Sequence, residues 1–293
     1  MEKVMNPIIK NSDKGNTSDP YVIRDGDVYY HCYANDQGVF VTRSDTLKDV
    51  GSGECIKVYD SAAGLKAWYA PELHKIDGKW YIYGAPDYGD GLHIMTVLAA
   101  DSPMGKYENL GIIKGLENKW SIDGTVLKYK DELYFVWTCC IEMYMQKMES
   151  PYALSGEPML LSKAEYPFEL RQHTINEGPA ILYRDGKILV VYSANDSICD
   201  EYCLGVLIFS GQGDILDKSN WQKHSEAIFE KTDKIFGPGH CSFTTVTEDG
   251  NETDYIVYHA NTESGTGWNG RHVFIKPFSW DEKGMPVLGK PEF

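Results

Sequence analysis

The stretch from 176 to 192 is NEGPAILYRDGKILVVY, and it displays the basic unit of this chain. An acidic residue beside Gly and Pro opens the unit, and two β-rich runs follow, joined by Asp185-Gly186. Asp-Gly between apolar runs predicts a hairpin, because glycine accepts the positive φ of a tight turn. Asp25-Gly26 and Asp77-Gly78 stand in the same context. The unit is therefore predicted to be an antiparallel strand pair that starts next to an acid.

Five such openings recur along the chain. They are Ser18-Asp19-Pro20, Tyr69-Ala70-Pro71-Glu72, Ile122-Asp123-Gly124-Thr125, Asn176-Glu177-Gly178-Pro179 and Gly237-Pro238-Gly239-His240. Counted from Asp19 through Pro71, Asp123 and Glu177 to His240, the spacings are 52, 52, 54 and 63 residues. This repeat predicts an all-β, five-bladed β-propeller with about four antiparallel strands per blade, in a single domain over residues 1–293. The alternative is an irregular β-sandwich with coincidental spacing.

The repeat also predicts where the blades meet. We expect boundaries near residues 67, 120, 174 and 234. The third strand of the second blade is expected at 94–97. Pro7-Ile8-Ile9 is expected to close the ring against the blade that contains Phe274 to Phe278, because an open ring would leave unpaired strand edges. The outer strands have the weakest pattern, and we expect them at 56–59, 110–113, 158–162, 226–229 and 286–288.

Composition narrows the class of partner. The formal net charge of -15 disfavours nucleic acids and anionic membranes and suits a neutral substrate. Seven scattered cysteines and the lack of a signal-peptide-like apolar core at the N-terminus favour a cytoplasmic location. A secreted form whose leader is absent from this chain stays open. Cys199 and Cys203 lack the matching second pair of a zinc site.

Three of the five openings carry a carboxylate at the same place in the repeat, namely Asp19, Asp123 and Glu177. First strands of propeller blades line the channel, so these acids are expected to face one another across its mouth. Clustered carboxylates push their pKa values apart, so that one stays protonated while another is ionised. Glycosidic bond cleavage needs such a pair. Each acid taken alone could instead be an ordinary solvated turn residue.

The five ordered motifs, with Trp68 and Ser121 preceding two of them, resemble those of glycoside hydrolase family 43, over about residues 6–290. The family's usual Trp-Ala-Pro-Glu is here Trp-Tyr-Ala-Pro-Glu. The resemblance implies that Asp19 is the general base, that Glu177 is the general acid, and that Asp123 tunes the pKa of Glu177 and holds the sugar. It also implies an inverting mechanism.

Further site residues follow from the resemblance. It places His240 at the channel centre, beside a possible Ca²⁺, and directs Arg271 toward the pocket. The alternatives are a buried histidine bonded to backbone and a solvated strand-start arginine. Trp68 and Trp120 are candidates for stacking on a sugar. We expect no organic cofactor and interpret His31, His74 and His259 as structural histidines.

The function expected from the resemblance is removal of terminal pentoses from oligosaccharides, with α-L-arabinofuranosyl units first. The alternatives on the same fold are a β-xylosidase and an endo-arabinanase, and the alternative of another class is a non-catalytic carbohydrate-binding propeller. The segments 141–157 and 262–270 are long enough to wall off a pocket, which favours exo action. The sequence gives no indication of the oligomeric state.

Overall fold

The computed structural model describes residues 6–10 and 17–293 as five four-stranded antiparallel sheets whose first strands surround a channel. This confirms the five-bladed propeller. The strands are β1 (Tyr21–Asp25), β2 (Val28–Asn35), β3 (Gly38–Ser44), β4 (Glu54–Asp60), β5 (Lys66–Ile76), β6 (Lys79–Asp87), β7 (Thr96–Ala100), β8 (Glu108–Ile112), β9 (Ile122–Tyr129), β10 (Glu132–Cys139), β11 (Glu142–Ser150), β12 (Ala153–Ser162), β13 (Asn176–Arg184), β14 (Lys187–Ala194), β15 (Cys203–Phe209), β16 (Trp221–Lys223), β17 (Phe236–Glu248), β18 (Asn251–Asn261), β19 (Arg271–Trp280) and β20 (Pro286–Val287).

The blade boundaries are confirmed, because β5, β9, β13 and β17 begin within two residues of the predicted positions. Two strand predictions are wrong. The third strand of the second blade begins at Thr96, after a long connection from β6. The outer strand of the fourth blade is 221–223 rather than 226–229, where Phe229 makes only an isolated bridge to Leu204 while its ring is buried in the core.

Helical structure in the described residues is confined to short 3-10 turns. None of them is long and apolar enough to cross a membrane. The turns are Leu47–Asp49, Ser61–Ala63, Pro167–Glu169, Lys218–Asn220 and Gly267–Gly270.

The hydrophobic core is divided into five clusters, one between each pair of neighbouring blades. Leu73 and Ile82, for example, pack the second blade against the first, and Val190 and Leu207 pack the fourth against the third. Strands that are apolar on both faces, such as β14 and β15, are those buried between blades. Because each blade has an apolar partner on either side, the ring holds all five first strands in place around the channel.

The first and fifth blades close the ring as predicted. Strands β1 and β17 are in contact, and Ile9 forms an antiparallel bridge with Val273 in β19. The amide of Ile8 donates to the carbonyl of Val273 at 2.9 Å. Asn6 extends the pairing, since its Nδ2 donates to the carbonyl of Ile275 at 2.8 Å.

Each of the five blade openings has a residue in the left-handed region of backbone space at or next to the predicted acid position, besides Gly237 in the fifth opening. These five residues are Asp19, Ala70, Asp123, Gly178 and His240, with φ between 36° and 57°. In blades two to five, the pairing register with the second strand shifts at this point, which marks a β-bulge. Left-handed backbone is uncommon for residues other than glycine and is concentrated at functional sites, where a bulge re-aims a side chain.

The bulges correct one prediction about the repeat. Asp19, Asp123 and His240 occupy equivalent positions, but the equivalent residue in the fourth blade is Gly178. Glu177 precedes it by one residue. A side chain at 178 would be tightly crowded, since a Cβ there would lie 3.0 Å from the ring of His240. The acid of this blade therefore approaches the channel mouth from a different backbone position than the other two acids.

Candidate active site

Asp19 lies at the centre of a buried charge cluster at the mouth of the channel. Its Oδ1 is 3.3 Å from Nδ1 of His240, in the fifth blade. The guanidinium of Arg271, at the start of β19, approaches the same oxygen to 3.5 Å and donates to Oγ of Ser18 at 3.0 Å. A second nitrogen of Arg271 donates to the carbonyl of Ser197 at 2.8 Å. The first and fifth blades thus meet at this carboxylate.

The surroundings of Asp19 favour its ionised form. Burial alone would raise the pKa of Asp19, but the nearby His240 and the Arg271 guanidinium outweigh burial and hold the pKa well below its usual range. Arginine remains charged at every working pH, so this effect persists. Asp19 is therefore a carboxylate that can accept a proton or orient a water molecule without itself being protonated beforehand.

His259 fixes the backbone of Asp19. Its Nδ1 accepts a hydrogen bond from the amide of Asp19 at 3.0 Å. Burial, with Arg271 adding to its effect, lowers the pKa of His259 to about 3, so the imidazole is neutral. The interpretation of His259 as a structural histidine agrees with this contact, and the residue that it holds in place is Asp19.

Glu177 has the opposite electrostatic setting. Burial raises the pKa of Glu177 to about 7; a hydrogen bond from Tyr202 opposes the rise and the charge of Asp19 adds to it. The Tyr202 hydroxyl donates to Oε1 of Glu177 at 2.8 Å. At neutral pH a substantial fraction of Glu177 is therefore protonated and available as an acid.

Asp123 connects the third blade to the fourth beside Glu177. Its Oδ2 accepts a hydrogen bond from the amide of Gly178 at 3.1 Å. Burial raises the pKa of Asp123 well above its usual range, and the neighbouring charges of Glu177 and Asp19 contribute to the rise. The charge of Glu177 therefore helps to hold the proton on Asp123.

An aromatic cluster lies at the same end of the channel, beside the openings of the second and third blades. The ring of Tyr69, which is 46 % exposed, stacks on His93 with centroids 3.7 Å apart. Trp120 packs edge-on against the other side of His93, at 5.4 Å. Nδ1 of His93 donates to the carbonyl of Ala85 at 2.7 Å, which fixes the ring. Trp120 is thus placed near the mouth, as the sequence led us to expect.

Trp68 does not join this cluster. Its side chain is buried in the core between the first and second blades, where it packs against Tyr59 and Gly84. Because no face of the ring is open, Trp68 cannot stack on a sugar. Tyr69 stands directly before Ala70, where the family motif has tryptophan, and its ring is the exposed one.

The segments around the mouth differ from the sequence prediction. Most of 141–157 forms β11 and β12, and their connection lies at the far end of the channel, so this segment does not wall off a pocket. The segment 262–270 does lie at the mouth, and it carries Trp268, which is 58 % exposed and donates to Ser197. The connection 195–202 stands beside it and was not predicted to line the site.

The predicted calcium site does not fit these residues. Calcium prefers six to eight oxygen ligands, but across residues 6–10 and 17–293 no three His, Cys, Asp or Glu side chains are grouped so that they could hold a metal. His240 instead faces Asp19, and its amide donates to Oγ of Ser193 at 2.8 Å. We assign no step to an ion.

Sequence reasoning missed Tyr202, His259, Tyr69 and His93. One signal was available for Tyr202: it directly precedes β15, the third strand of its blade, and Arg271 begins the third strand of the next blade. Third strands start at the channel mouth in every blade. His259 and His93 have no marker in the sequence, because their contacts arise only in the folded chain, whereas Tyr69 stands where the family motif has tryptophan.

Comparisons with known proteins agree with this architecture. The family model described as "Glycosyl hydrolases family 43" matches residues 4–286, and the chain belongs to this family. An "Extracellular exo-alpha-(1->5)-L-arabinofuranosidase" of Streptomyces chartreusis is 30 % identical over 87 % of this chain and 81 % of its own length. A protein of the same name from Streptomyces avermitilis is 29 % identical over 94 % of this chain, which spans 62 % of that relative.

A solved structure is similar throughout. The α-L-arabinofuranosidase from Lactobacillus brevis has a TM-score of 0.88 and 30 % identity, covering 98 % of this chain and 97 % of that one. The expectation of a cytoplasmic location is wrong in light of the two Streptomyces relatives, whose names describe them as extracellular. The cysteine count and spacing alone therefore do not decide the location.

Proposed function

We propose that this protein is an exo-acting glycoside hydrolase that removes terminal α-L-arabinofuranosyl units from oligosaccharides with inversion at the anomeric carbon. One observation carries the proposal: two acids at one channel mouth are held in opposite protonation states. Asp19 is kept ionised by Arg271, and burial raises the pKa of Glu177 to about 7. This is the division between base and acid that glycosidic cleavage requires.

In this mechanism Asp19 activates the attacking water and Glu177 protonates the leaving oxygen. The proton from water passes to Asp19, and the proton of Glu177 leaves with the alcohol. Asp123 is held protonated by its burial and by the charges of Glu177 and Asp19, and its Oδ2 fixes the backbone beside the acid by accepting from the amide of Gly178. An inverting enzyme needs roughly 6.5–9.5 Å between base and acid to admit the water.

The substrate assignment is supported by the relatives and by the rim of the mouth. The Streptomyces and Lactobacillus proteins bear the names of arabinofuranosidases. The exposed ring of Tyr69, with His93 and Trp120 behind it, offers an apolar face of the kind that packs on a sugar. The segments 195–202 and 262–270 rise on the other side, which favours a pocket over an open groove.

A panel of nitrophenyl glycosides tests the sugar. We expect the α-L-arabinofuranoside to be cleaved fastest, ahead of the β-D-xylopyranoside and the galactosides. Proton NMR of the first product should show the inverted anomer, because water attacks opposite the leaving group. A faster xyloside would favour the β-xylosidase alternative, and release of internal fragments from linear arabinan would favour an endo-arabinanase.

Two substitutions separate catalysis from binding. Asp19→Asn and Glu177→Gln should each lower kcat by roughly two to four powers of ten, the usual value of a general acid or base. The matched control is Asp25→Asn, which alters a hairpin-tip aspartate paired with Lys75 at the surface. Sugar binding without turnover in the unaltered protein would instead indicate a carbohydrate-binding propeller.

A further inference from the structure

The Tyr202–Glu177 contact has a consequence for the direction of proton transfer. We propose that Tyr202 is a positioning residue for the acid: its hydroxyl holds Oε1 of Glu177, so that the proton is carried on Oε2, facing the glycosidic oxygen. The inference rests on the function proposed above for Glu177. The distance from the hydroxyl to Oε1 is 2.8 Å, which is within the normal range for such a bond.

The ring of Tyr202 is rigidly packed. Tyr202 is fully buried, and its ring lies parallel to that of His259, with centroids 5.7 Å apart and an interplanar angle of 5°. Gly239 leaves room for it, since a Cβ at 239 would lie 2.2 Å from the ring. The hydroxyl therefore has a fixed place, and the orientation of Glu177 follows from it.

The connection that carries Tyr202 is pinned as well. Nδ2 of Asn195 donates to the carbonyls of Phe168 and Glu201, at 2.9 and 3.0 Å. The amide of Tyr202 donates to the carbonyl of Cys199, and the amide of Gly237 to that of Asp200. These bonds attach the segment to the fourth and fifth blades on either side of the acid.

The hydroxyl of Tyr202 must act as a donor to Glu177. Burial raises the pKa of Tyr202 well above its usual range, and the charge of Glu177 adds to the rise, so the phenol keeps its proton. Ser193 hydrogen-bonds to the same hydroxyl and accepts from the amide of His240. A chain of donors thus runs from the fifth blade through Ser193 and Tyr202 to Oε1, and each bond polarises the next.

Because Tyr202 donates to only one carboxylate oxygen of Glu177, the two oxygens have different roles. Oε1 accepts from Tyr202, so the proton of the neutral acid is best placed on Oε2, from which it passes to the leaving oxygen. The same donor stabilises the carboxylate that remains after proton transfer. Without it, Glu177 would be a weaker acid and could rotate between two orientations.

The test is Tyr202→Phe, with kcat measured on an aryl glycoside and on the matching disaccharide across pH. The alkaline limb of kcat should move up by roughly one pH unit, because a hydrogen bond to the charged acceptor is lost. On the disaccharide kcat should fall roughly tenfold, and less on the nitrophenyl glycoside, because nitrophenolate leaves with little need of a proton. If Tyr202 had a purely structural role, kcat would fall equally on both substrates, and the alkaline limb of the pH profile would not move.

Tyr192→Phe is the matched control. Tyr192 is also fully buried and also donates to a glutamate, Oε1 of Glu169, at 2.8 Å, but it lies outside the site. The Tyr192→Phe variant should leave unchanged both the alkaline limb of kcat and the ratio of the kcat values on the two substrates. Ser193→Ala, which removes the donor behind Tyr202, should move the limb in the same direction by a smaller amount, and it serves if Tyr202→Phe folds poorly.

A measurement independent of turnover separates this inference from the proposed function. In protein labelled with ¹³C at glutamate carboxyls, the signal that Glu177→Gln removes reports the Glu177 titration. We expect its midpoint to rise in Tyr202→Phe and to stay in place in Tyr192→Phe. An unmoved midpoint and limb would overturn the role of Tyr202. An unaltered protein that cleaves no glycoside would overturn the proposed function, whatever the titration shows.

Discussion

Replacing Glu177 by glutamine should stabilise the fold while it removes activity. The pKa of this carboxyl rises from 4.5 to about 7 on folding. The folded state therefore binds more protons than the unfolded state between those values, and stability from this group falls as pH rises through that window. The penalty above pH 7 is at most roughly 3.5 kcal/mol, at about 1.4 kcal/mol per pH unit. Glu177 is only half-buried, so roughly 1–3 kcal/mol is the expected gain.

Thermal melting of Glu177→Gln and the unaltered protein at pH 4 and pH 8 measures the effect. The two should melt together at pH 4, where both side chains are neutral, and the variant should melt a few °C higher at pH 8. Glutamine keeps an oxygen that Tyr202 can donate to, so little else changes. Equal melting temperatures at pH 8 would refute the argument that the buried, ionised carboxylate of Glu177 destabilises the folded protein.

Glu169→Gln provides a control of opposite sign. Glu169 is fully buried but paired with Nζ of Lys223 at 2.6 Å, and its pKa is lowered despite its burial, through the hydrogen bond from Lys223 and backbone donors. A carboxyl whose pKa is lowered by folding stabilises the folded state above its unfolded pKa, and this stabilisation is lost as pH falls. The variant should therefore melt lower than the unaltered protein at pH 8, with the difference shrinking toward pH 4.

The remaining predictions concern activity. The pH profile should fall on the alkaline side near 7, where Glu177 loses its proton, and should stay flat on the acid side to well below pH 4, because the pKa of Asp19 is lowered; an acid limb at or above pH 5 would contradict this. Tyr69→Ala should raise KM several-fold with a smaller change in kcat, since the ring offers a face to the sugar and no reacting group; Tyr183→Ala, at an exposed tyrosine away from the mouth, is its control. The sequence predicts an ion beside His240, whereas the described residues group no three His, Cys, Asp or Glu side chains that could hold one. From the structure we expect exhaustive chelation to leave both kcat and the melting temperature unchanged; loss of either, with recovery on adding Ca²⁺, would favour the sequence prediction instead.

The sequence was informative where local chemistry repeats. The Asp-Gly turns and the Pro- and Gly-marked openings are short-range signals, and they located the hairpins and the blade boundaries to within a few residues. The outer strand of the fourth blade was missed because the residues at 227–229 are apolar like those of a strand, yet Ile228 and Phe229 pack into the core. Apolar character alone does not distinguish a paired edge strand from a segment that covers the core.

The sequence by itself determined the blade count, the acids that open three of the blades, and the kind of chemistry that those acids suit. Only the tertiary structure decided the protonation state of each acid, because the groups that determine it are distant from the acid in the sequence. Arg271 and His240 of the fifth blade keep Asp19 ionised, and Tyr202 reaches Glu177 from a connection 25 residues further along the chain. The one-residue offset of Glu177 from Gly178 was likewise decided by the β-bulge, since a spacing counted along the chain does not record which residue adopts the left-handed backbone.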